Sequence, residues 1–105
     1  MSKRVKTHPF IIQLNTNYLR TGQLLCIGLD PDPVKLPAYY PKTEDGIYQF
    51  LSDVVRSSLE YCICYKPNIS FFEALGLSGL ALLERLVKEI PDTHPVIIDA
   101  KRGDI

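Results

Sequence analysis

The sequence predicts an α/β fold in which a parallel sheet is covered by helices, and three observations carry that expectation. Apolar runs of strand character recur at 24–29, 62–68 and 95–99, set off by turn-forming residues. Between them lie segments with helical apolar spacing, long enough to cross over between parallel strands. Each run also carries an ionisable residue at or near its end: Asp30, Lys66, and Asp99 with Lys101.

From the amino end, Phe10, Ile11, Leu14, Tyr18 and Leu19 recur at helical spacing over about residues 8–21. Thr7 suits the N-cap, Pro9 the first turn and Gly22 the stop. Leu24 to Leu29 then reads as a buried strand ending at Asp30. Prolines 31, 33, 37 and 41 make the next stretch a loop, because each lacks a donor and restricts the residue before it. A second helix starts near Thr43, with Glu44 and Asp45 at the positive end of its dipole and Ile47, Phe50, Leu51, Val54, Val55 and Leu59 on one face. The run 62–68 is the second strand, followed by one helical turn around Phe71-Phe72-Glu73. The third helix covers about Ser78 to Ile90, with Leu80, Leu83, Leu86, Val87 and Ile90 inward, and Pro91 ends it. Pro95 to Asp99 is the third strand.

Composition narrows the function classes. The 105 residues allow one domain at most, and 46% apolar with 23% charged residues is ordinary for a globular protein. Twelve basic and twelve acidic residues cancel, which gives no footing for a nucleic-acid or anionic-membrane partner. No apolar run approaches the ~18 residues of a transmembrane helix, and no h-region follows the basic amino end. Cys26, Cys62 and Cys64 match no metal or redox spacing and read as small hydrophobes, which suits the reducing cytoplasm. His8 and His94 have no partner at ligand spacing and read as structural or solvated, so no metal site is expected.

The strand-end charges are the candidates for chemistry. Residues two apart in a strand share a face, so Asp99 and Lys101 project side by side at the carboxyl end, where parallel α/β folds put their sites. Lys66 has apolar flanks, which suggests a buried ammonium in need of an anion, with Asp30 and Asp99 available. An alternating array would keep each charge ionised and offer a substrate a preorganised field. A structural ion-pair network is the competing reading.

Three segments go beyond generic chemistry. Leu25-Cys26-Ile27-Gly28-Leu29-Asp30-Pro31-Asp32, then Tyr65-Lys66-Pro67-Asn68 with Phe71-Phe72-Glu73, then Ile98-Asp99-Ala100-Lys101-Arg102-Gly103-Asp104-Ile105 resemble the orotidine 5′-phosphate decarboxylase family. The nearer match is its bacterial subgroup with a long loop after the first strand, in register across about residues 10–105. The resemblance implies a cofactor-free cytoplasmic homodimer on a (β/α)₈ barrel, converting orotidine monophosphate to uridine monophosphate in pyrimidine synthesis. The chain would be the first three β/α units behind an amino-terminal helix. Residues 1–105 would form the amino-terminal part of one barrel domain, cut after its third strand, since a barrel takes about 250 residues. The resemblance assigns Lys101 as proton donor to C6, Asp99 to the departing carboxylate, and Lys66 and Asp30 to the ribose and the charge array. It sends Asp104, with Ile105, across the dimer interface into the partner's site. Two alternatives stand beside it: a magnesium-dependent sugar-phosphate decarboxylase or hexulose-phosphate synthase sharing the D-x-K-x-x-D signature, and a non-catalytic half-barrel that self-associates. Lys66 in its strand context favours the nucleotide enzyme.

Overall fold

The computed structural model describes residues 8–103. In chain order it comprises α1 (Pro9–Thr21), β1 (Cys26–Leu29), a short 3₁₀ turn (Pro33–Lys35), α2 (Glu44–Ser58), β2 (Cys64–Pro67), α3 (Ile69–Glu73) and α4 (Leu77–Glu89). β1 and β2 run parallel, with Cys26 opposite Cys64 and Gly28 opposite Lys66. Residues 95–99 lie along the other side of β2. The Tyr65 N–H donates to the Pro95 carbonyl, Ile97 to Tyr65 and Asp99 to Pro67. This third segment pairs in parallel through Val96 and Asp99 as separate bridges. β1, β2 and the third segment therefore stand adjacent in that order, although residues 95–99, expected as a full third strand, join the sheet only by these two bridges.

Strand alternation divides the sheet into two faces. Leu29 and Tyr65 point into the helices and are buried, with Ile47, Leu51 and Val55 of α2, Phe72 of α3 and Leu82, Leu83 and Leu86 of α4. Burial of an aromatic side chain needs a partner for its polar tip. The Tyr65 hydroxyl donates to the Val55 carbonyl at 3.0 Å and sits 2.7 Å from the Ser58 hydroxyl. α2 begins as expected, with the Thr43 hydroxyl accepting from the Gly46 N–H at 3.1 Å. At Gly79 a Cβ would come within 2.0 Å of the Phe72 carbonyl, so only glycine lets α4 seat this closely on α3.

Several elements depart from the sequence expectation. His8 is the N-cap of α1, its Nδ1 accepting from the Phe10 N–H at 3.1 Å, whereas Thr7 lies outside the described residues. α1 docks through a polar residue: Asn17 is its one buried side chain and donates to the carbonyls of Ile63 and Thr93. Ile11, Ile12, Tyr18 and Leu19 stay exposed. Those two carbonyls precede β2 and the third segment, so α1 crosses the amino-terminal end of the sheet. In α4, Leu80 is exposed and Leu82 takes the inward place. β1 starts at Cys26, leaving Leu24, Leu25 and Cys26 exposed, while Cys62 and Cys64 are buried. His94 is buried, its Nε2 donating to the Leu59 carbonyl at 2.8 Å, which is a structural role.

Candidate active site

The face of the sheet turned away from the helices carries the charges. Asp99 occupies the end of the third segment, and its Oδ2 accepts from the Lys101 ammonium, two residues on. Lys66, from the middle strand, brings its Nζ to 3.9 Å from the same oxygen. The Asp99 side chain is 13% exposed, against 48% for Lys66 and 82% for Lys101. The carboxylate is thus covered by its cations, while both ammonium groups remain open to solvent. The Lys101 hydrogen bond, helped by the Lys101 and Lys66 charges, holds the Asp99 carboxyl below its ordinary range against a smaller opposing effect of desolvation.

Lys66 is exposed, which corrects the expectation of a buried ammonium. Asp30 follows β1 at the same end of the sheet. Its carboxylate folds back over Gly28, where an added Cβ would lie 3.6 Å from Oδ1, and Gly28 is the register partner of Lys66. Asp30 therefore shares the face of Lys66, but among the described residues it forms no ion pair; Lys66 pairs with Asp99 instead. A small cavity of about 170 Å³ opens beside Asp30, bounded by Asp32, Lys35, Leu36, Ile47 and Phe50. Asp104 and Ile105 lie outside the described residues.

α3 contributes residues to which the sequence reading gave no role. Asn68 caps it, its Oδ1 accepting from the N–H of Ser70 at 3.2 Å and from the Ser70 hydroxyl at 2.7 Å. An Asn immediately before a short apolar helix is a legible N-cap signal. At the other end of α3, Glu73 stands 3.5 Å from the guanidinium of Arg102. That pair spans 29 positions of sequence and has no local signature.

A larger groove, about 580 Å³, lies at the opposite end of the sheet between α1 and residues 91–94. Four of its polar side chains hold the groove's own backbone: Gln13 the Asp92 carbonyl, Asn17 that of Thr93, and Arg20 and His94 that of Leu59. Among the described residues no three His, Cys, Asp or Glu side chains converge as a metal site would require. What the strand ends offer is a set of charges of both signs, with two ammonium groups paired to Asp99 yet open to solvent, at the usual ligand end of a parallel sheet.

No family model matches the chain. Individual proteins do. The chain is 46% identical over 96 residues to an orotidine 5′-phosphate decarboxylase of Roseiflexus castenholzii, covering 91% of this chain and 35% of that protein. It is 41% identical over 96 residues to the enzyme of the same name from Phocaeicola vulgatus, covering 89% and 35%. The Leishmania donovani OMP decarboxylase structure superposes with a TM-score of 0.74 at 38% identity, over 91% of this chain and 34% of that one. The chain spans about a third of the length of the curated relatives it matches. Its α/β arrangement corresponds to part of the barrel in these decarboxylases.

Proposed function

We propose that residues 1–105 form the amino-terminal part of a single (β/α)₈-barrel domain, and that the protein carrying them decarboxylates orotidine 5′-monophosphate to uridine 5′-monophosphate. The observation that carries the reading is the Asp99 carboxylate covered by Lys101 and Lys66 at the strand ends. As the bond from C6 to the carboxylate breaks, its electron pair stays on C6, which no ring position can delocalise. The Lys101 ammonium stabilises that charge and then gives its proton to C6, while carbon dioxide leaves. Asp99 orients Lys101 and faces the departing carboxylate. Lys66 and Asp30 hold the ribose hydroxyls.

In this reading the enzyme is a cytoplasmic homodimer without a cofactor, and Asp104 with Ile105 reaches the partner's site. The described residues contain no helix long and apolar enough to cross a membrane, which is compatible with that compartment. The test is a protein of the relatives' length carrying this sequence, assayed by the ultraviolet change as orotidine monophosphate is consumed. Turnover that survives a chelator supports the reading, whereas turnover that requires added magnesium or acts only on a sugar phosphate overturns it.

A further inference from the structure

We infer that Glu73 and Arg102 form a clamp that positions Lys101, with α3 serving as a splint along the segment that carries the site. The inference rests on the decarboxylase reading and names positioning residues for that same site. One end of the splint is backbone: the Ile69 N–H, at the start of α3, donates to the Asp99 carbonyl at 3.0 Å. The other end is side chain. Arg102 donates from Nη1 to the Lys101 carbonyl at 3.0 Å and directs Nη2 toward the Glu73 carboxylate at 3.5 Å. Residues 99–102 are thus held at both ends against one five-residue helix, whose own position is fixed by buried Phe72 and by the contact at Gly79.

The clamp answers a need the geometry creates. Lys101 lies beyond the last bridge of the third segment, so the sheet does not order it, and its side chain is the most exposed of the three charged groups. A proton donor must be held in one geometry to act, and an error of about 1 Å costs roughly a hundredfold in rate. Arginine suits the task because its planar fork serves a carbonyl and a carboxylate together, whereas a lysine ammonium acts as a single point charge.

The test has two arms. In the 105-residue chain, hydrogen exchange of the Ile69 amide is compared among wild type, Arg102→Ala and the near-isosteric Glu73→Gln. The Ile97 amide, which donates to Tyr65 inside the sheet, is the internal reference. Both variants are expected to speed exchange at Ile69 roughly fivefold while Ile97 stays unchanged. In a protein of the relatives' length, each variant is expected to lower kcat about tenfold with KM held within about twofold. The double variant should be no worse than Arg102→Ala alone, because the two residues act as one unit. Additive losses, an unchanged kcat, or an Ile69 amide indifferent to both substitutions would overturn the clamp. Absence of turnover in the wild type would instead overturn the decarboxylase reading, and the exchange arm would still decide the clamp.

Discussion

Among the described residues two carboxylates are held below their ordinary range, and they are held differently. Glu89, on the seam between α2 and α4, accepts hydrogen bonds from the Ser52 and Tyr48 hydroxyls. Those two bonds are the main reason its carboxyl is lowered, with the charges of Arg56 and Arg85 contributing less. Arg85 is turned over the Tyr48 ring at 3.8 Å, and Arg56 stands 3.9 Å from Glu89. Asp99 is lowered by an exposed ammonium, and a second ammonium lies nearby. A depressed carboxyl therefore does not by itself mark a site. The Glu89 donors are neutral hydroxyls of a serine and a tyrosine on α2, reaching across to α4, which makes it a joint. The Asp99 donors are long side chains open to solvent, which under the proposed function makes it a site.

The sharpest way to break this comparison is to remove the main donor to Asp99. In a decarboxylase of the relatives' length, Lys101→Ala is expected to lower turnover by about 10²–10⁴-fold, the span of general acid catalysis. Thermal stability should barely move, because Lys101 is exposed. A loss smaller than about tenfold, or a large fall in Tm, would make Asp99 a joint like Glu89. Next in size is Gly79→Ala. The added methyl meets the Phe72 carbonyl, which is backbone and can yield only if α3 shifts from α4. A destabilisation of about 2–3 kcal/mol in urea titration is expected. An unchanged midpoint would show that α3 is not pinned by this contact.

Much of this was legible in the sequence, and the failures are physical. Thr43 before Glu44-Asp45 gave the start of α2, and the Phe71-Phe72-Glu73 turn appears as α3. The strand order followed from crossover lengths and the repeated strand-end charges, and strand alternation put Asp99 on the face of Lys66, whereas Lys101 lies past the last bridge and meets Asp99 through their ion pair. Lys66 is exposed despite its apolar flanks at 62–65 and 69–72: Tyr65 points to the opposite face and Phe72 lies in the helix-side core, while Cys64, which shares the Lys66 face, is buried nearer the amino end of β2. Leu80 was misplaced because leucines at 77, 80, 82, 83 and 86 spread around α4, and only the partner surface selects the inward stripe. Asn17 could not be read at all, since a polar residue becomes an anchor only when unpaired carbonyls from distant strands meet it. The same holds for Glu73 and Arg102.

A smaller effect separates the two carboxylates in stability alone. Glu89→Gln keeps the shape but removes the charge that two hydroxyls address, and a loss of about 1 kcal/mol is expected. Asp99→Asn removes a carboxylate whose ammonium partners are largely in water, where an ion pair contributes little to stability, so its loss should be the lesser. Urea midpoints of the two variants against wild type check the order, and a larger loss for Asp99→Asn would reverse the assignment of joint and site.

Acid and salt should distinguish them most finely. Glu89 has an ordinary value of 4.5 and is lowered in the folded chain, so the unfolded chain binds its proton more readily. Its contribution is therefore complete well above pH 4.5 and is lost as pH falls below that value through the lowered folded value. The stability gap between wild type and Glu89→Gln should be widest near neutrality and narrow steadily on acidification. Asp99, with an ordinary value of 3.8, follows the same sign, and its loss begins at a lower pH. Salt adds the second axis. Raising ionic strength to about 1 M shortens the screening length to about 3 Å. That weakens charges held by exposed ammonium groups far more than hydrogen bonds from neutral hydroxyls. The Glu89→Gln gap should survive high salt at pH 7, whereas the smaller Asp99→Asn gap should vanish. If salt erased both gaps equally, Arg56 and Arg85 rather than Ser52 and Tyr48 would be what holds Glu89, and the two carboxylates would be alike.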